Sequence, residues 1–297
     1  MLKLKEESNQ YHSFPMLKNT LIYKICLVFL FFPISVFSKD RDLVRVFADI
    51  PFVELSQEIS LPTPNNHIYD VGMEGFYAKT RTNDEYGLPG WIRNDGNRFH
   101  KGVDIIPIKF EKTKKTVTID YYDPKTKKDF SVDEPVLIPK DEIYSILDGI
   151  VVVINSVEGK SGYGRYIMIE HHFSDGSPFI SMYAHLDRFT VKEGDRVKGG
   201  SQIGWMGQTS SNPTGRDYLK AIPHCHFEIG RVINPNFAKY YSSKMYPTII
   251  GGKYDPSNIQ PFNPIKFLLK YHLEQTIIKM NYFRFDNLYK PVYSIYR

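Results

Sequence analysis

Two histidines set two positions apart pose the question of what this chain does. In Pro223-His224-Cys225-His226-Phe227-Glu228, strand geometry would send residues i and i+2 to one face. His224 and His226 then share a face, and Cys225 points to the other. Two convergent imidazoles are half of a zinc site, or one ligand beside one catalytic base. The groups that could complete the site lie far upstream. His100 and Asp104 stand four apart in Arg98-Phe99-His100-Lys101-Gly102-Val103-Asp104. Gly102 and the β-branched residues after it argue against a helix. A turn running into a strand fits better, with Asp104 at the strand edge and His100 brought back by the glycine. His185 is the fifth group. Three protein ligands and one open position make a catalytic zinc site. Such a metal acidifies its water and polarises the carbonyl under attack. A neutral imidazole nearby takes the water proton or holds the oxyanion.

The elements that must position these groups read as short strands. From Pro135 onward, apolar runs recur between glycine turns: 136–138, 150–154, 166–171, 179–186 and 202–207. Asp148-Gly149 and Asp175-Gly176 are turn signals between them. A further strand passes through Phe227, Ile229 and Val232, and residues 43–47 suggest another. Many short strands with glycine turns imply an antiparallel sheet or sandwich rather than βαβ units. Residues 109–133, rich in Lys, Thr and Asp, read as a solvated hairpin inserted into the core. Residues 234–262 read as a long loop or insertion. Pro264 opens a short helix.

The chain has 297 residues, enough for one large domain or two small ones. Its 42% hydrophobic and 24% charged residues are those of a globular protein. The 21 tyrosines and 20 phenylalanines favour β structure. A net charge of +5 is too small to support nucleic-acid binding. Lys18 and Lys24 precede an apolar run over 25–37, and Ser38 follows it. This predicts a signal peptide, residues 1–38, cut after Ser38; a retained membrane anchor is the rival. Met16 opens the basic segment, so residues 1–15 suit an overcalled start. Cleavage leaves Cys225 as the one cysteine, so no intrachain disulfide can form. Residues 39–90 read as an irregular lead-in, 91–270 as the main domain, and 271–297 as an aromatic, basic tail.

These residues resemble the lysostaphin-like M23 endopeptidases, zinc metallopeptidases that cut bacterial cell-wall peptides. The family signature is H-x-x-x-D, then Y-x-H-L, then H-x-H. Here these are His100 to Asp104, Tyr183-Ala184-His185-Leu186, and His224-Cys225-His226-Phe227-Glu228. The resemblance spans about residues 95–235, and the Asn263-Pro264 segment resembles the usual domain end. It implies a mostly β fold, the antiparallel sheet or sandwich of the lysostaphin-type, duplicated-hybrid-motif-like domain, with a short C-terminal helix. It also implies one Zn2+ held by His100, Asp104 and His226. His185 and His224 would line the water and the scissile carbonyl, their division of labour left open. His171 is given a structural or supporting role. Glu228 either orients a ligand or makes a surface salt bridge. Cys225 replaces the family's leucine and is expected as a buried thiol. The two insertions would lengthen groove walls.

The implied function is hydrolysis of peptide bonds in peptidoglycan crosslinks or stems. The alternative is an inactive peptidoglycan-binding protein or an activator of another wall hydrolase; the retained ligands favour the enzyme. The implied partner is a peptidoglycan peptide, with no nucleic acid and no membrane span after signal cleavage. A monomer in the periplasm, or secreted, is expected.

Overall fold

The computed structural model describes residues 46–94, 96–123, 125–211, 222–240 and 251–273. The expected signal peptide and residues 274–297 lie outside the described residues. No helix among the described residues is long and apolar enough to cross a membrane.

Strands form where β-branched and aromatic residues recur between glycine and proline breaks. β1 (Gly90–Arg93) and β2 (Arg98–His100) make a small hairpin, and β3 (Val103–Ile105) follows at once. β4 (Phe110–Asp123) and β5 (Lys128–Pro139) form a long hairpin that is a two-stranded sheet by itself. Then come β6 (Glu142–Tyr144), β7 (Gly149–Asn155), β8 (Tyr166–His172), β9 (Pro178–Ala184) and β10 (Leu186–Phe189). β11 (Arg196–Val197), β12 (Gln202–Met206), β13 (Cys225–Val232) and β14 (Ile259–Phe262) complete the set. The main sheet runs β11-β7-β8-β9-β13-β14, and β10-β12-β6 make a second sheet. Pairing in both is antiparallel, as the glycine-turn pattern implied.

β13 is the strand on which the site depends. β9 pairs along one flank of it. The other flank is shared: β3 takes Cys225 to Phe227, and β14 takes Ile229 to Val232. The reading of 234–262 as loop missed β14. Pro261 obscured it, because a proline cannot donate to a ladder; here it needs only its carbonyl, which accepts from the Ala48 amide at 2.8 Å. Of the strand expected at 43–47, residues 43–45 lie outside the described residues. The described part forms no strand, and Ala48 makes a single parallel bridge to Phe262.

Alternation along the strands sends Ile167, Phe179, Tyr183, Phe227 and Ile229 into one core. Met168, Ile180, Met182 and Ala184 build a smaller cluster on the opposite face. Each large side chain so buried contributes about 1.5–3 kcal/mol. The helix α1 (Pro264–Leu268) closes the main core with Phe267 and Leu268. Its start follows from Asn263, whose side chain accepts from the Lys266 amide.

A polar chain crosses this core. His171 Nδ1–H donates to the Asp148 carbonyl at 2.9 Å, so Nε2 accepts from the Ser181 hydroxyl at 2.7 Å. Ser181 touches Tyr183 Oη, which accepts from the Ile146 amide. His171 is therefore structural. Burial pushes its pKa down to about 4, against about 6.5 when unfolded. The unfolded chain then binds the extra proton between those values, so this stability is present above pH 6.5 and is lost as pH falls towards 4. From pH 7 to pH 5 the group is expected to remove about 2 kcal/mol. Urea unfolding at the two pH values checks this; the pH 7-to-5 loss should shrink by that amount in His171→Gln.

Candidate metal centre

β13 brings the site together through its register. His226 lies opposite Asp104 of β3 on one side and Ala184 of β9 on the other. His100 ends β2, and the chain turns through Gly102 into β3. A Cβ at Gly102 would meet the Phe227 carbonyl oxygen at 2.7 Å and the His226 ring at 2.8 Å. Glycine is needed here for that close approach.

Three donor atoms converge. His100 Nε2 lies 3.1 Å from Asp104 Oδ1 and 3.1 Å from His226 Nδ1, and the latter two are 2.8 Å apart. Ligands of tetrahedral zinc, bonded at 2.0–2.1 Å, stand roughly 3.3 Å apart. The trio thus has the spacing of three corners around one ion, and its residues are buried at 4%, 0% and 5% exposure. Both imidazole tautomers are fixed from behind. His100 Nδ1–H donates to the Leu88 carbonyl at 2.7 Å, and His226 Nε2–H donates to Glu228 Oε1 at 2.8 Å. In its neutral form each ring turns a lone pair to the cluster, the arrangement that orients histidine towards a metal.

Charge is balanced around them. Burial alone would raise Asp104, but the neighbouring His224 and His100 and the imidazole hydrogen bonds hold it well below the usual carboxylate range. Burial opposes charge on His226, yet its bonds to Asp104 and Glu228 lift it to about 9. Glu228 is 2% exposed and also accepts from the Tyr163 hydroxyl at 2.9 Å. Of the two roles open to it, the geometry is that of a group behind a ligand. Glu228→Gln is expected to weaken metal affinity at least about 10-fold, read by competition with a chelator.

His185 and His224 form the accessible edge of the cluster, their rings edge-on at 4.7 Å. His185 lies between β9 and β10 with φ at 60°, a left-handed conformation that histidine tolerates better than most residues. Its Nδ1–H donates to the Thr209 carbonyl at 2.6 Å. Thr209 in turn presses on Gly164, where a Cβ would come within 2.3 Å of its backbone. His224 Nδ1–H donates to the Ile222 carbonyl, and its Nε2 lies 3.5 Å from Asp104 Oδ1. Burial, then the charges of His224 and His226, push His185 down to about 3; burial chiefly lowers His224. Both imidazoles are uncharged at neutral pH, with Nε2 able to accept a proton.

The structure therefore brings together all five groups singled out in the sequence. Cys225 points to the other face, fully buried in the main core, and burial pushes its thiol up. Two partners of the trio were missed. The Leu88 carbonyl leaves no mark in sequence. Arg93, which donates from Nη2 to Asp104 Oδ2 and lies 3.1 Å from His100 Nε2, stands outside any motif.

Residues 136–236 match the family described as Peptidase family M23. That stretch holds His185, His224 and His226; His100 and Asp104 precede it, separated by the β4–β5 hairpin. An uncharacterized metalloprotease of Haemophilus influenzae is 29% identical over 177 residues, 55% of this chain and 32% of its own. The peptidoglycan DD-endopeptidase ShyA of Vibrio cholerae is 27% identical over 165 residues, 50% of this chain and 34% of its own. The murein hydrolase activator NlpD of Escherichia coli is 34% identical over 96 residues, 31% of this chain and 21% of its own. This chain thus spans about a third or less of the length of each. Over residues 136–236 the chain is similar to peptidase family M23, and the Y-x-H-L and H-x-H motifs of that stretch meet the upstream H-x-x-x-D side chains at one cluster.

Proposed function

We propose that this chain is a zinc-dependent endopeptidase that hydrolyses peptide bonds in peptidoglycan crosslinks or stems. The observation that carries the reading is the pairing of three buried donors with two uncharged imidazoles on their accessible edge. A structural zinc site is closed by a fourth protein ligand. Among the described residues the cluster has three members, and His185 and His224 stand beside it.

His100 Nε2, Asp104 Oδ1 and His226 Nδ1 would hold the ion. When bound, zinc supplies an acidified water and a Lewis acid for the carbonyl. His185 takes the water proton at Nε2, and the Thr209 carbonyl on its Nδ1–H steadies the charge that follows. His224 has its Nδ1–H tied to the Ile222 carbonyl, so it would hydrogen-bond the developing oxyanion only after its Nε2 has gained a proton, a charge that the nearby Asp104 favours. Glu228 and Leu88 keep the ligand rings oriented.

The catalytic domain covers residues 91–270, and within the lead-in the described residues 46–90 brace it through the Leu88 carbonyl that reaches His100. The signal peptide would deliver a monomer to the periplasm or outside the cell. The relative named as a murein hydrolase activator supports a second reading, in which the chain stimulates another hydrolase. That role needs neither the trio nor the two further histidines. Incubating the zinc-loaded protein with isolated peptidoglycan separates the readings. Soluble fragments that a chelator suppresses are expected, and their masses identify the bond. Zinc-loaded protein that releases nothing, but stimulates a second wall hydrolase, would establish the activator.

A further inference from the structure

We propose that Arg93 is a positioning residue that confines Asp104 to ligation through one oxygen. The inference rests on the metal reading of the trio and concerns a residue outside the family motifs.

Asp104 is fully buried, and its two oxygens have different surroundings. Oδ1 faces His100 Nε2 at 3.1 Å and His226 Nδ1 at 2.8 Å. Oδ2 accepts from Arg93 Nη2. The guanidinium is itself fixed. Its Nε donates to the Tyr86 carbonyl at 3.2 Å, and its face lies 4.3 Å from the Tyr86 ring centroid. The Arg93 side chain is 13% exposed. A planar fork anchored at one end and bonded at the other cannot follow Oδ2 towards an ion. Oδ2 is thereby kept from the metal, and Oδ1 remains as the carboxylate donor. The same cation lies against a buried carboxylate, so it also stabilises the ligand cluster before any ion arrives. Lysine has neither the fork nor the second anchor.

Co2+ reports the difference, because four-coordinate Co2+ absorbs visible light several-fold more strongly than five-coordinate Co2+. Metal-free full-length protein is titrated with Co2+, and separately melted with and without Zn2+. Wild type is expected to give the intense spectrum. Arg93→Met is expected to lose several-fold in intensity as Oδ2 joins the ion. It should also melt lower without metal and gain more from Zn2+ than wild type does. Arg93→Lys should lose the intensity while keeping more of the metal-free stability, and it carries the comparison if Arg93→Met does not fold. Variant spectra as intense as wild type would overturn the role of Arg93 and leave the metal site standing. A wild type that takes up neither Co2+ nor Zn2+ would overturn the metal reading itself.

Discussion

His226→Ala is expected to lose metal and activity together. His226 contributes one of three donor atoms, and the trio has no described fourth member to replace it. Its imidazole also stands between two buried carboxylates, with Nδ1 at 2.8 Å from Asp104 and Nε2 at 2.8 Å from Glu228. Removing it leaves both without their shared partner. Breaking a buried charge pair from one side costs about 3–5 kcal/mol. The variant should therefore hold no stoichiometric zinc by elemental analysis, release no peptidoglycan fragments, and unfold at markedly lower urea. Full zinc content in folded His226→Ala would remove it from the ligand set.

His185→Ala is expected to keep its metal and lose about 10²–10⁴-fold in turnover, the usual contribution of a positioned proton acceptor. The three donor residues are untouched, since His185 hydrogen-bonds to Thr209 and not to the trio. The backbone adds a second readout. At φ 60° an alanine keeps the strain that a glycine relieves, so His185→Gly should be about 1 kcal/mol more stable than His185→Ala and equally inactive. Loss of zinc from either variant would place His185 among the ligands instead.

The site was legible in sequence to the extent that local geometry determines it. Strand alternation alone put His224 and His226 on one face and Cys225 on the other. Gly102, between His100 and Asp104, signalled a turn before the structure gave its reason, a backbone pressed against Phe227. The assembly of the trio was different. Asp104 and His226 are 122 residues apart, and no spacing rule joins them; the family resemblance did. What stayed hidden depends on tertiary contact. Arg93 reaches Asp104 across the β1–β2 hairpin. Leu88 contributes only a carbonyl. β14 was masked by a proline that its position tolerates. Glu228 could have been assigned from alternation, since it shares the face of His226 two residues on, but burial decided the matter.

The β3–β13 pairing also sets an order of events. The upstream donors precede the long β4–β5 hairpin, and the last donor emerges only with β13, near the end of the described domain. A partly synthesised or partly threaded chain therefore offers two donors at most and grips no ion firmly. Loading waits for the final strand to dock. The compartment in which the polypeptide finishes folding is the one whose ion supply determines which metal it carries.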